Sequence, residues 1–133
     1  MASVLIVDDE KDTAEAIQMG FDMAGFTCWI AKDSIQALKI LQENQPDVAF
    51  VDVRLDGSPL DGFGILQEAK KLPIKTKIFI VTGYSDEGKE AKSKELGADG
   101  YLTKPLPMSK LMEIAKGLCA GKLLVWASRA SMR

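Results

Sequence analysis

Histidine is absent from this chain of 133 residues. That excludes, within the chain, any mechanism resting on an imidazole base and any metal held by imidazole. Cysteine is scarce: Cys28 and Cys119 stand far apart and form no CxxC pair. Both read as small apolar residues rather than as a disulfide or metal site. No apolar run approaches the ~18 residues that suggest a membrane span, and no N-terminal signal segment is visible. Cytoplasm is therefore the expected location, without membrane attachment. A formal net charge of -2 offers no electrostatic grip for nucleic acid. Repeats, low-complexity tracts and internal linkers are also missing, and the length suits one domain.

What is present is an alternation of apolar runs and helical spacings. Val4 to Val7 is short, unbroken and rich in β-branched residues, as a strand buried on both faces should be. Helical spacing follows from Asp12 to Ala24, with Ala16, Ile17, Gly20, Phe21 and Ala24, and Gly25 stops it. A second strand is expected over Phe26 to Ala31. The next helix begins near Asp33 and turns Ile35, Leu38 and Leu41 inward. Val48 to Val51 makes a third strand and the segment from Asp61 to Leu72 a helix. Ile78 to Val81 is the fourth strand. Ser85 to Leu96 has helical composition but a thin apolar face, mainly Ala91 and Leu96. Gly100 to Thr103 is the fifth strand, and a last helix starts near Pro107 and runs long, to about Ala127. Five strand–helix units of this kind predict a parallel sheet with helices on both faces.

In open parallel sheets, function gathers at the carboxyl ends of the strands. Asp8 and Asp9 follow the first strand, Asp52 the third, Thr82 the fourth and Lys104 the fifth. Three carboxylates brought to one edge repel each other, and a cation makes the arrangement reasonable. Magnesium suits a few carboxylates with waters and a phosphate oxygen. Lys104 adds a positive point charge suited to phosphate.

With VLIVDDE, VAFVDVRL, IFIVTG and GADGYLTKP at these spacings, the chain resembles the receiver domains of two-component response regulators over about residues 3 to 120. The resemblance implies a flavodoxin-like, doubly wound α/β fold, with five parallel strands in the order 2-1-3-4-5 and five helices. It implies that Asp52 is the phosphoacceptor. Magnesium would be held by Asp9, Asp8, Asp52 and the backbone carbonyl of Arg54. Thr82 and Lys104 would bind the phosphoryl group, Thr82 and Tyr101 would switch, and Lys104-Pro105 would be a cis peptide. The implied partners are a sensor histidine kinase or phosphotransfer protein and a downstream protein, with a second copy of the chain a further candidate. Such a domain is a phosphoacceptor switch rather than an enzyme. The segment Ser85 to Leu96 is the candidate mobile element. Tyr84 and Arg54 stand where that family modulates access of water to the acyl phosphate.

Two departures stand out. The stretch DVRLDGSPLDG after Asp52 is two residues longer than the family pattern, and Asp56-Gly57 should make a turn of its own. The end, GKLLVWASRASMR, overruns a typical receiver. Residues 1–121 are taken as the domain, and 122–133 as an extension of the last helix or the start of a linker. There Leu123, Val125 and Trp126 suggest packing on the domain or on a partner. Taken singly, Asp9 and Asp61 could be helix caps, and Asp61 is read so. The competing functions are a receiver-like interaction module that is never phosphorylated and a magnesium-dependent aspartyl phosphatase. The latter wants a second acid two residues after its nucleophile, where this chain has Arg54.

Overall fold

A computed structural model describes residues 2–83, 87–119 and 127–128. The strands are β1 (Ser3–Val7), β2 (Thr27–Ala31), β3 (Val48–Asp52), β4 (Lys77–Thr82), β5 (Gly100–Thr103) and β6 (Ala127–Ser128). The helices are α1 (Lys11–Met23), α2 (Ser34–Asn44), α3 (Gly62–Ala69), α4 (Glu87–Glu95) and α5 (Met108–Cys119). All strand pairs are parallel, in the order β2-β1-β3-β4-β5-β6. The five expected strands therefore occupy the expected order 2-1-3-4-5. Among the described residues no helix is long and apolar enough to cross a membrane.

The period of two along each strand divides the core into two layers. Leu5, Val7, Ala49, Val51, Ile78, Ile80 and Tyr101 face one side, where α2, α3 and Leu96 cover them. Val4, Ile6, Phe50, Phe79, Val81 and Leu102 face the other, under α1 and α5. Phe21, Phe50 and Phe79 form a ring series across that second layer, with centroids 6.4 and 5.6 Å apart. Cys28 is buried there, and desolvation, helped by the charge of Asp22, pushes its thiol up to about 12. It packs as a small buried residue, as expected.

Several local expectations change. Ile35 is exposed, while Ser34 and Ala37 are buried with Leu41. The helix begins at Ser34 because Asp33 caps it by accepting from the Gln36 N–H, which rotates Ile35 outward. Ala91 is exposed too, and α4 buries Ser93 instead. The last helix is described to Cys119, and Ala127, expected inside it, lies in β6 beside Gly100. The tail residues Leu123, Val125 and Trp126, together with Tyr84 and Ser85, lie outside the described residues.

Candidate functional site

The site is built where β1, β3, β4 and β5 end. Asp8 and Asp52 continue the alternation of Ile6 and Phe50, so their side chains leave the sheet on the α1/α5 side. Thr82 continues the alternation of Ile80 and belongs to the opposite side, which it shares with Tyr101. Lys104 leaves β5 through its backbone N–H, which donates to the Thr82 carbonyl.

These placements bring the charged groups together. The Lys104 Nζ donates to Asp52 Oδ2 at 2.6 Å and to Asp8 Oδ2 at 3.1 Å. The second oxygen of Asp52 accepts from the Arg54 backbone N–H, and that of Asp8 from the Glu10 N–H. Asp8, Asp9 and Asp52 each present an oxygen within 4.8 Å of the others. Hard oxygen donors so arranged fit a divalent cation of the magnesium type. Asp9 is no helix cap, because α1 is preceded by Glu10 without a side-chain cap bond. Asp61, by contrast, caps α3 by accepting from the Gly64 N–H at 2.9 Å.

Burial raises the Asp52 pKa above its ordinary 3.8, outweighing the bond and charge of Lys104, and the like charge of Asp8 adds to the rise. Burial also acts to lower Lys104, but bonds and charge from Asp52 and then Asp8 outweigh it and raise the ammonium above 10.5. The two directions are compatible: the lysine faces two carboxylates, whereas Asp52 faces one cation and one like charge. The stability Lys104 contributes is fully present below 10.5 and lost as pH rises through its elevated pKa. Asp52 has the same sign in a lower window: its raised pKa means that the fold prefers the protonated acid, so its contribution is present below 3.8 and lost as pH rises through the raised value.

The longer loop after Asp52 makes contacts the sequence did not disclose. Gly57 takes φ +78° in the expected Asp56-Gly57 turn, closed by Ser58 N–H to the Leu55 carbonyl at 3.2 Å. This turn aims the Asp56 N–H at Asp9 Oδ2, 3.1 Å away. The Asp56 carboxylate faces the Arg54 Nε at 3.4 Å, well out in solvent. Beyond it, the Ser58 hydroxyl accepts from the Ser34 N–H and donates to the Leu60 carbonyl, while the Ser34 hydroxyl accepts from the Leu60 N–H. The loop is thus clasped to the start of α2. Ser34 and Ser58 are too far apart in sequence for any local pattern to reveal the pairing. At the loop's end, a Cβ on Gly62 would collide with the Asp52 carbonyl oxygen and stand 2.8 Å from Val53 Cα. Only glycine lets α3 start so close to the backbone of Asp52 and Val53.

Thr82 is buried and lines the same cavity as Asp9, Asp52, Asp56, Lys89 and Lys104. Lys89 and Asp56 were not among the expected site residues. The Lys104-Pro105 peptide is cis. Tyr101 is 1% exposed, packed in the layer under α2 and α3. On the α1/α5 side a cavity of about 280 Å³ opens beside Asp8, Asp52 and Lys104, walled by Thr13, Ile17, Leu106 and Leu111.

Comparison with known proteins agrees with this geometry. The family model of the response regulator receiver domain matches residues 4–116. A response regulator of Rickettsia bellii described as NtrX-like is 35% identical over 119 residues, covering 90% of this chain and 25% of that protein. The phosphate regulon transcriptional regulatory protein PhoB of Pseudomonas aeruginosa is 30% identical over 118 residues, covering 87% of this chain and 51% of its own length. The chain thus spans a quarter to a half of these relatives. Among solved structures, the receiver domain of the Francisella response regulator 1452 superposes with a TM-score of 0.82 at 28% identity, covering 91% of this chain and 98% of that one. A CheY-like receiver domain protein of Methanospirillum hungatei gives 0.81 at 27% identity, covering 90% of this chain and 95% of that one.

Proposed function

The chain belongs to the response regulator receiver domain family, and from that premise we propose that it takes a phosphoryl group from a phosphohistidine of a partner kinase or phosphotransfer protein onto Asp52. The observation that carries the reading is Lys104, whose ammonium bonds both Asp52 and Asp8 while Asp9 completes the carboxylate cluster. A carboxylate oxygen of Asp52 attacks phosphorus in line with the bond to the donor's imidazole. That P–N bond breaks, its electron pair stays on nitrogen, and an acyl phosphate forms. Lys104 follows the developing charge on the transferring oxygens, and the Thr82 hydroxyl lies in the same cavity to bond one of them. Asp8, Asp9, Asp52 and the Arg54 backbone carbonyl would hold magnesium, which supplies further charge neutralisation when bound. Nothing on this side needs a histidine, so its absence is no obstacle.

The apolar cavity between α1 and the start of α5 gives the donor protein ground to settle on beside the nucleophile. The signal then leaves through the face shared by Thr82, Tyr101 and α4. Thr82 and Tyr101 remain the switch residues of this reading, and Tyr101 lies buried on the same side of the sheet as Thr82.

Treatment with acetyl phosphate or phosphoramidate and magnesium, followed by borohydride trapping and mass spectrometry, tests the assignment. One modification at Asp52 is expected, and none in Asp52→Asn. Equal modification of that variant would overturn it. Continuous release of phosphate from a small phosphomonoester would favour a phosphatase instead, and no modification at all an unphosphorylated interaction module.

A further inference from the structure

The helix that follows Thr82 is almost wholly polar: α4 reads EGKEAKSKE and buries only Ser93 among its described side chains. An amphipathic helix normally docks by an apolar stripe. Here two lysines one turn apart take that place. Lys92 lies with its Nζ 4.7 Å from the centroid of the Phe63 ring, on the first turn of α3. Lys89 is half-buried and lines the cavity of about 420 Å³ that holds Asp9, Asp52, Asp56, Thr82 and Lys104. The Ser93 hydroxyl donates to the Lys89 carbonyl at 2.8 Å, which ties the backbone at Lys89 to the buried side of the helix. The seat of α4 is therefore set by charge more than by apolar contact.

We infer that Lys89 is a third positioning cation of the phosphoryl site, carried by the element that moves. Lys104 is fixed to the end of β5 and is already engaged by two carboxylates. Lys89 rides on α4. Phosphorylation of Asp52 adds negative charge to the cavity, draws the Lys89 ammonium toward it, and pulls the first turn of α4 along. The helix thus reads the charge on Asp52 directly, besides any signal through Thr82. Nothing in the transfer itself requires Lys89. Its part is to bind the charged product and couple it to α4.

This inference rests on the phosphoacceptor reading, and the test separates the two. Beryllofluoride with magnesium, a stand-in for the phosphoryl group, is titrated into the full chain and into its Lys89→Gln, Lys89→Arg and Asp52→Asn variants, with amide NMR shifts as readout. The parent is expected to bind and Asp52→Asn not to. Lys89→Gln is expected to bind about threefold more weakly, the size of a partly screened charge pair. It should lose most of the shift changes over residues 87–95 while keeping those at Thr82, and Lys89→Arg should restore both. Parent-like affinity and parent-like α4 shifts in Lys89→Gln would overturn the role of Lys89 and leave the phosphoacceptor intact. Equal binding by Asp52→Asn would overturn both. The thermal midpoint of each variant excludes unfolding as the cause.

Discussion

Two helices side by side on one face of the sheet are held in opposite ways. α3 follows the strand that ends in Asp52, and it buries Gly62, Phe63, Ile65, Leu66 and Ala69. α4 follows the strand that ends in Thr82, and it buries Ser93. Apolar burial is non-directional and indifferent to a charge appearing nearby. A helix seated by lysines, one over an aromatic ring and one beside an acidic cavity, is by contrast sensitive to charge under the inference drawn above. The Asp52 side of the site is thus backed by apolar packing, and the Thr82 side by a helix that buries little.

The contrast can be broken most strongly in α3. Leu66→Ala should lower stability by about 3 kcal/mol, the usual scale for a fully buried leucine. Chemical denaturation would show it, and a loss under about 1 kcal/mol would mean that α3 is no better anchored than α4. Gly62→Ala probes the same helix differently. The Cβ meets backbone rather than a flexible side chain, so β3 and α3 must part. Reduced uptake of beryllofluoride together with lowered stability is expected.

A smaller effect should come from Asp61→Ala, which removes the cap bond to the Gly64 N–H. About 1 kcal/mol is expected, read by denaturation, with the loss confined to α3 in hydrogen exchange. Smaller still is Lys92→Ala. The exposed contact with the Phe63 ring is worth about 0.5–1 kcal/mol. Exchange should quicken in α4 while the amides of α3 hold, and equal quickening in both would remove the distinction between them. Least of all, salt sharpens the comparison. At about 1 M the screening length falls to about 3 Å. The exchange of α4 amides should then rise modestly and that of α3 amides should not.

Much of the site was legible because strand ends have a short alphabet. An unbroken apolar run that stops at an aspartate marks both the strand and the edge where the carboxylate must stand, as at Val7-Asp8 and Val51-Asp52. Asp61 as a cap and Asp56-Gly57 as a turn are equally local signals, and both appear where the chain placed them. The face turned inward by a short polar helix was not legible. Ile35 points out and Ser34 in, because a serine clasp with Ser58 and Leu60 takes the buried position. In α4 the inward place went to Ser93 rather than Ala91, since its hydroxyl returns to a carbonyl of its own helix.

By itself the sequence determined the alternation of strands and helices, the family, and the identity of the five polar residues at the strand ends. Each of these rests on periodicity and on spacing along one chain. The tertiary structure alone decided that the Asp56 N–H reaches Asp9, that Tyr101 lies buried, that Ala127 joins the sheet at β5, and that Lys89 lines the cavity of Asp9, Asp52 and Lys104. These depend on the distance between elements far apart in the chain and on which side of a helix a neighbour leaves free. No local pattern encodes either, because both are set only when the two layers close around the sheet.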